Sequence, residues 1–188
     1  MYELPLVSLS AVEVFQVLRK SEYSAVLKVA VGGEPRVMKV YRDRNPTASD
    51  SPEREIDLFV CESSTYQRLK EKGLCARGVI PYFYGILTNI QPAMALEDIN
   101  DMHQLDLSTF SESRLLQMES ILHDIHKAVL WIDFDCAQRL PEDNFSPRQE
   151  MWLQDENELM DYFTTSLPED YREGKLRRTW VYYFQKKG

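Results

Sequence analysis

Three side chains in this sequence have types and positions that could do chemistry: a strand lysine, a helix glutamate and an aspartate at the end of an apolar run. Lys39 sits in Val37-Met38-Lys39-Val40-Tyr41, where strand alternation puts Val37, Lys39 and Tyr41 on one face and Met38 and Val40 on the other. If the first face lines a cleft, Lys39 points into it; otherwise it meets solvent. Glu62 lies three residues past Phe59 and four before Tyr66, so it shares the packed face of a helix whose apolar positions are Ile56, Phe59, Tyr66 and Leu69. A carboxylate on a packed face needs a partner, and Lys39 on the preceding strand is the obvious one. Such a pair can hold a lysine toward a bound phosphate, or it can be an ordinary structural salt bridge. Asp133 stands apart from this pair, in Leu130-Trp131-Ile132-Asp133-Phe134-Asp135. That apolar run, rich in β-branched and aromatic residues, predicts a buried strand. Two carboxylates at its end require solvent, a cation or hydrogen-bond donors. The strand either delivers Asp133 to the edge of a cleft or opens an exposed acidic loop.

The elements that must position these residues follow from periodicity and turn chemistry. Residues 11–41 read as three antiparallel strands, the last two joined at Gly32-Gly33. After the polar loop 42–52, Ser51 as cap, Pro52 at the first position and Glu53 and Glu55 in the first turn predict a helix that runs to about Lys72 and stops at Gly73. Val79–Leu87 carries Pro81 and reads as an edge strand, and Ala93–Ile99 completes a five-stranded sheet. Ser108 or Ser111 caps a second helix that reaches about Lys127, with Leu115, Met118, Leu122 and Ile125 on its apolar face. The strand at 129–132 follows after a very tight reversal. A third helix is expected over 148–164, with Met151, Trp152, Leu159 and Met160 as apolar positions, and Leu167-Pro168 breaks its pattern. The last stretch, Tyr171–Lys187, is basic and amphipathic.

Bulk properties exclude several classes. The chain has 188 residues, 44% of them hydrophobic, enough to fill the cores of one or two compact units. A net charge of -8, from 30 acids and 22 bases, argues against a dedicated nucleic-acid binder. Cys61, Cys75 and Cys136 are odd in number and widely spaced, which argues against a disulfide scaffold or a zinc site and for a reducing compartment. His123 and His126 stand three apart, but no third metal ligand lies at useful spacing. The start of the chain lacks the basic region and apolar core of a secretory signal, and the most apolar stretch, 78–87, is too short to span a bilayer. A cytoplasmic protein without membrane contact is expected.

Taken in order, these segments resemble the protein-kinase-like fold, in particular the divergent small kinase-like proteins common in fungi. The matching pieces are Val37–Tyr41, Phe59–Leu69, Ala95–Ile99, Ile121–Ala128 and Val129–Asp135, and the resemblance covers roughly residues 12–140. It implies an α+β architecture in which residues 11–99 form an N-lobe-like antiparallel sheet with one helix. Residues 100–188 then form a truncated, mainly helical C-lobe-like region. It also implies that Lys39 holds the α- and β-phosphates of ATP and that Glu62 is its helix partner. Glu97 to Ile99 would be the hinge that meets adenine through backbone groups, and Asp133 the aspartate that binds Mg²⁺ in the Asp-Phe-Gly motif.

The departures from that pattern bear on activity. Asp135 stands where the motif has glycine, and the first hairpin, Arg19–Val26, has no glycine to lie over phosphates. Between Ala128 and Val129 the family's catalytic loop is missing, so no residue is assigned as catalytic base or as ligand of a second Mg²⁺. Asp124 lies too early, within the helix. Three readings fit that junction: a reduced pseudokinase, a shortened product whose full-length relative carries the loop, and an unrelated helix–strand domain. The leading expectation is a kinase-like domain without phosphotransfer that binds ATP and Mg²⁺ weakly or serves as a scaffold for a protein partner. The alternatives are an ATP-dependent kinase of proteins or small molecules and a non-nucleotide interaction module.

Overall fold

The computed structural model describes residues 11–43, 45, 50, 55–87, 92–99, 111–126, 144–175, 177, 178 and 181. They fall into two compact units, one up to residue 99 and one from residue 111 onward. The first unit contains strands β1 (Val12–Lys20), β2 (Ser24–Val31) and β3 (Glu34–Tyr41), helix α1 (Leu58–Glu71), and strands β4 (Phe83–Leu87) and β5 (Ala93–Leu96). The strands form one antiparallel sheet in the order β1-β2-β3-β5-β4. The protein is therefore α+β with the expected five-stranded sheet, and β4, preceded by Pro81, lies at an edge.

Local chemistry explains the connections. Gly32 and Gly33 take φ of 60° and 86°, the left-handed values a two-residue hairpin demands, and Val31 pairs with Glu34 across the turn. β5 is apolar throughout and buried throughout because it lies between β3 and β4 and both its faces are covered. On one sheet face Val29, Met38 and Ala93 form a core to which Val12, Leu27, Val31, Val40 and Leu87 add partly buried surface. The other face, carrying Val37, Lys39 and Tyr41, meets α1.

Helix α1 begins later than its sequence suggests. Asp57, not Ser51, is the cap: its side chain accepts from the backbone N–H groups of Phe59 and Val60 at 2.9 and 3.2 Å. Glu55 is outside the helix, where its carboxylate accepts from the N–H groups of Ile56 and Asp57, each at 2.9 Å. An acid placed to bond the two following N–H groups stabilises a turn there and delays helix entry. The far end is as expected, with Lys72 as the last cap and Gly73 left-handed at φ 79°. Lys70 donates to the Phe83 carbonyl at 2.7 Å and the Tyr66 ring packs on Phe83, so this end of the helix is tied to β4.

The second unit contains α2 (Glu112–His126) and α3 (Pro147–Glu173). Ser111 accepts from the Arg114 N–H at 3.2 Å and is the cap of α2, which buries Leu115 and Ile125. α3 opens with a capping box between Ser146 and Gln149, with Pro147 in its first turn. Pro168 does not end α3, contrary to the sequence pattern; the helix runs on to Glu173 and stops at left-handed Gly174. The support comes from just beyond the helix. Arg178 donates to Asp170, Glu169 and Glu173 at 3.4, 3.1 and 2.6 Å, and its backbone N–H reaches Asp170 at 3.1 Å. Those contacts hold the final turn in place against the hydrogen bond that proline removes. Met160 is buried as expected and Trp152 and Leu159 are half-buried, but Met151 is exposed, and Glu156, Ser166 and Asp170 add polar groups to the buried face. The expected strand at 129–132 and its reversal lie outside the described residues.

Candidate functional site

The site is built on the α1 face of the sheet. Residues directly opposite in a ladder share a face, so Val26, Lys39 and Met94 make one row and Lys28, Val37 and Leu96 the next. Lys39 is thus a charge flanked by a valine and a methionine. Its Nζ donates to Oε2 of Glu62 at 2.5 Å, and the side chains are only 14% and 6% exposed. Glu62 reaches the sheet because Cys61, Thr65, Tyr66 and Leu69 around it form the buried face of α1.

Tyr41 is a third partner. Two residues beyond Lys39 on the same face, it is buried and donates its hydroxyl to the same Glu62 oxygen at 2.7 Å. Its ring meets Phe59 edge-on at 5.6 Å, which fixes the hydroxyl's aim. The sequence carried a signal for Tyr41, since alternation puts it on Lys39's face, but that residue type also reads as plain core. Four residues along α1, burial first and then the Glu62 carboxylate and Cys75 push the Tyr66 hydroxyl well above the ordinary phenol range. The result is a buried carboxylate that accepts two charged or polar donors and holds an ammonium at a set place on the sheet.

A second ion pair crosses the same face. Lys28 on β2 reaches Asp98, two residues past the end of β5, at 2.8 Å. Strands lie about 4.8 Å apart, so the lysine stem must pass over Val37 on β3 to get there. Neither residue stands out in the sequence beyond a lysine within an apolar strand.

The remaining sequence-predicted residues divide into three. Glu97 is stitched to the start of β4: its N–H donates to the Tyr82 carbonyl at 2.8 Å and its carboxylate accepts from the Tyr82 N–H at 3.0 Å. Ile99 is 41% exposed. Asp133 lies outside the described residues, as does Asp135. Among the described residues no group of three or more His, Cys, Asp or Glu side chains is arranged to hold a metal ion, and His123 is exposed. Cys61 and Cys75 are buried thiols that form no disulfide. Among the described residues no helix is long and apolar enough to cross a membrane. No protein-family model matches the chain, and no curated protein is similar to it in sequence.

Proposed function

We propose that this chain is a protein-kinase-like domain that binds ATP through Lys39 and has lost phosphotransfer. The observation that carries the reading is the Lys39–Glu62 ion pair on the face of a five-stranded antiparallel sheet, with Tyr41 on the same carboxylate oxygen. A lysine held by a buried carboxylate stays in place, which is what a phosphate needs from it. The residues present fit the phosphate end of the nucleotide. Mg²⁺ is assigned to Asp133 by resemblance alone. The N–H of Glu97 is engaged by Tyr82, so backbone contact with a base falls to Asp98 and Ile99. The missing catalytic loop between Ala128 and Val129 supports binding without turnover.

Calorimetric titration of the purified chain with ATP, with and without Mg²⁺, beside Lys39→Ala tests this, with a circular dichroism melt to establish that both fold. Mg²⁺-dependent binding lost in the variant is the expected result. A cooperatively folded chain that binds no nucleotide overturns it and leaves a scaffold. Phosphotransfer to a protein or small hydroxylated substrate, abolished by Asp133→Asn, would overturn the inactive reading and favour a kinase.

A second reading, a non-nucleotide interaction module, is favoured by the apolar side chains that β1 leaves in solvent.

A further inference from the structure

β1 lies at the edge of the sheet, and its apolar residues face water: Val14, Phe15, Val17 and Leu18 are 56%, 58%, 57% and 46% exposed. An apolar edge strand is a template for pairing with another strand. The residues of β1 are also arranged symmetrically about Gln16. Phe15 mirrors Val17, Val14 mirrors Leu18, and Glu13 mirrors Arg19. Laid antiparallel on a copy of itself, Gln16 against Gln16, the strand sets apolar residues against apolar residues. It also sets an acid opposite a base on each side of the centre.

We propose that two copies of this chain associate through antiparallel pairing of their β1 strands, joining the two sheets edge to edge about a twofold axis. A twofold contact has to be self-complementary, because each residue meets the mirror position of its own strand. The mirrored charges favour a second copy as the occupant, since every copy carries the matching base and acid at the mirror positions. Like charges directly opposite would be unfavourable, and here no position of the alignment places them so. β1 departs from regular pairing with β2 between Val14 and Gln16 and between Val17 and Arg19. Such bulges twist an edge and oppose strand addition, so the apolar and charged matches have to outweigh them. This association is independent of whether a nucleotide binds.

The test is sedimentation of the full chain over a range of concentrations, for wild type, Glu13→Arg, Arg19→Glu and an equimolar mixture of the two variants. Wild type should dimerise with concentration. Each variant alone puts two like-charge contacts into every dimer and should weaken association by roughly tenfold. The mixture should recover it, because each contact of the mixed dimer again sets an acid against a base, and a variant that had merely misfolded would not recover on mixing. A chain that is monomeric at every concentration overturns the proposal. So does a dimer that both substitutions leave unchanged, or one that mixing does not restore.

Discussion

Lys39 and Tyr41, two residues apart on β3, place their polar ends on the same carboxylate oxygen of Glu62. The three form one buried unit, so their contributions to stability should not add. Lys39→Met leaves a buried carboxylate short of its counter-charge and should cost about 3 kcal/mol. Tyr41→Phe removes one hydrogen bond to a charged acceptor and should cost about 2 kcal/mol. Replacing all three, with Glu62→Leu added, should cost less than the sum of the single changes, because no buried charge remains. Urea unfolding of the set measures this. Strict additivity would mean that the three act separately.

Thr65 lies one turn from Glu62 on α1, fully buried, and its hydroxyl has no hydrogen-bond partner among the described residues. Burying an unsatisfied hydroxyl costs free energy that an apolar isostere avoids. Thr65→Val should therefore raise stability by about 1 kcal/mol, read as a higher urea midpoint at unchanged slope. A destabilised variant would show that the hydroxyl is in fact bonded.

Glu156 is buried on α3, and burial first, then the neighbouring Asp155, push its carboxyl up from 4.5 to about 7. The unfolded chain releases this proton near 4.5 and the folded chain near 7. Between those values the folded state binds more protons, so stability falls as pH rises from about 4.5 to about 7. The loss is at most roughly 3 kcal/mol. Glu156→Gln should remove this part of the slope and melt higher than wild type at pH near 8. Melting profiles of the two proteins that run parallel from pH 5 to 8 would contradict the assignment.

Arg178 holds the turn of α3 that follows Pro168. Arg178→Ala should fray the helix beyond that proline and lower the melting temperature, since Asp170 is fully buried and loses a charged partner. Hydrogen exchange should show faster exchange at Glu169–Glu173, with the first turns of α3 unchanged. Uniform loss of protection along α3 would mean that the clamp stabilises the whole unit instead of its last turn.

The sequence by itself determined the five strands of the sheet and the hairpin, though β4 begins at Phe83 and not Val79 and β5 ends at Leu96 and not Ile99. Alternation and a Gly-Gly pair are local signals, and a strand's faces follow from its period once one face is buried. The same logic placed Val37, Lys39 and Tyr41 together and put Glu62 on the packed side of α1. Periodicity says which residues share a face but not which face meets which. The tertiary structure alone decided that Lys39 and Tyr41 converge on one oxygen, and that Lys28 crosses β3 to reach Asp98, because such contacts depend on how non-adjacent segments are brought side by side. Two simple sequence rules also gave way, to side-chain contacts a few residues along the chain. Glu55 accepts from the N–H groups of Ile56 and Asp57 while Asp57 caps Phe59 and Val60, so the helix begins after Ser51, and Arg178 holds three acids so that α3 passes through Pro168. In both places side-chain hydrogen bonds outweigh a backbone preference worth only a few kcal/mol.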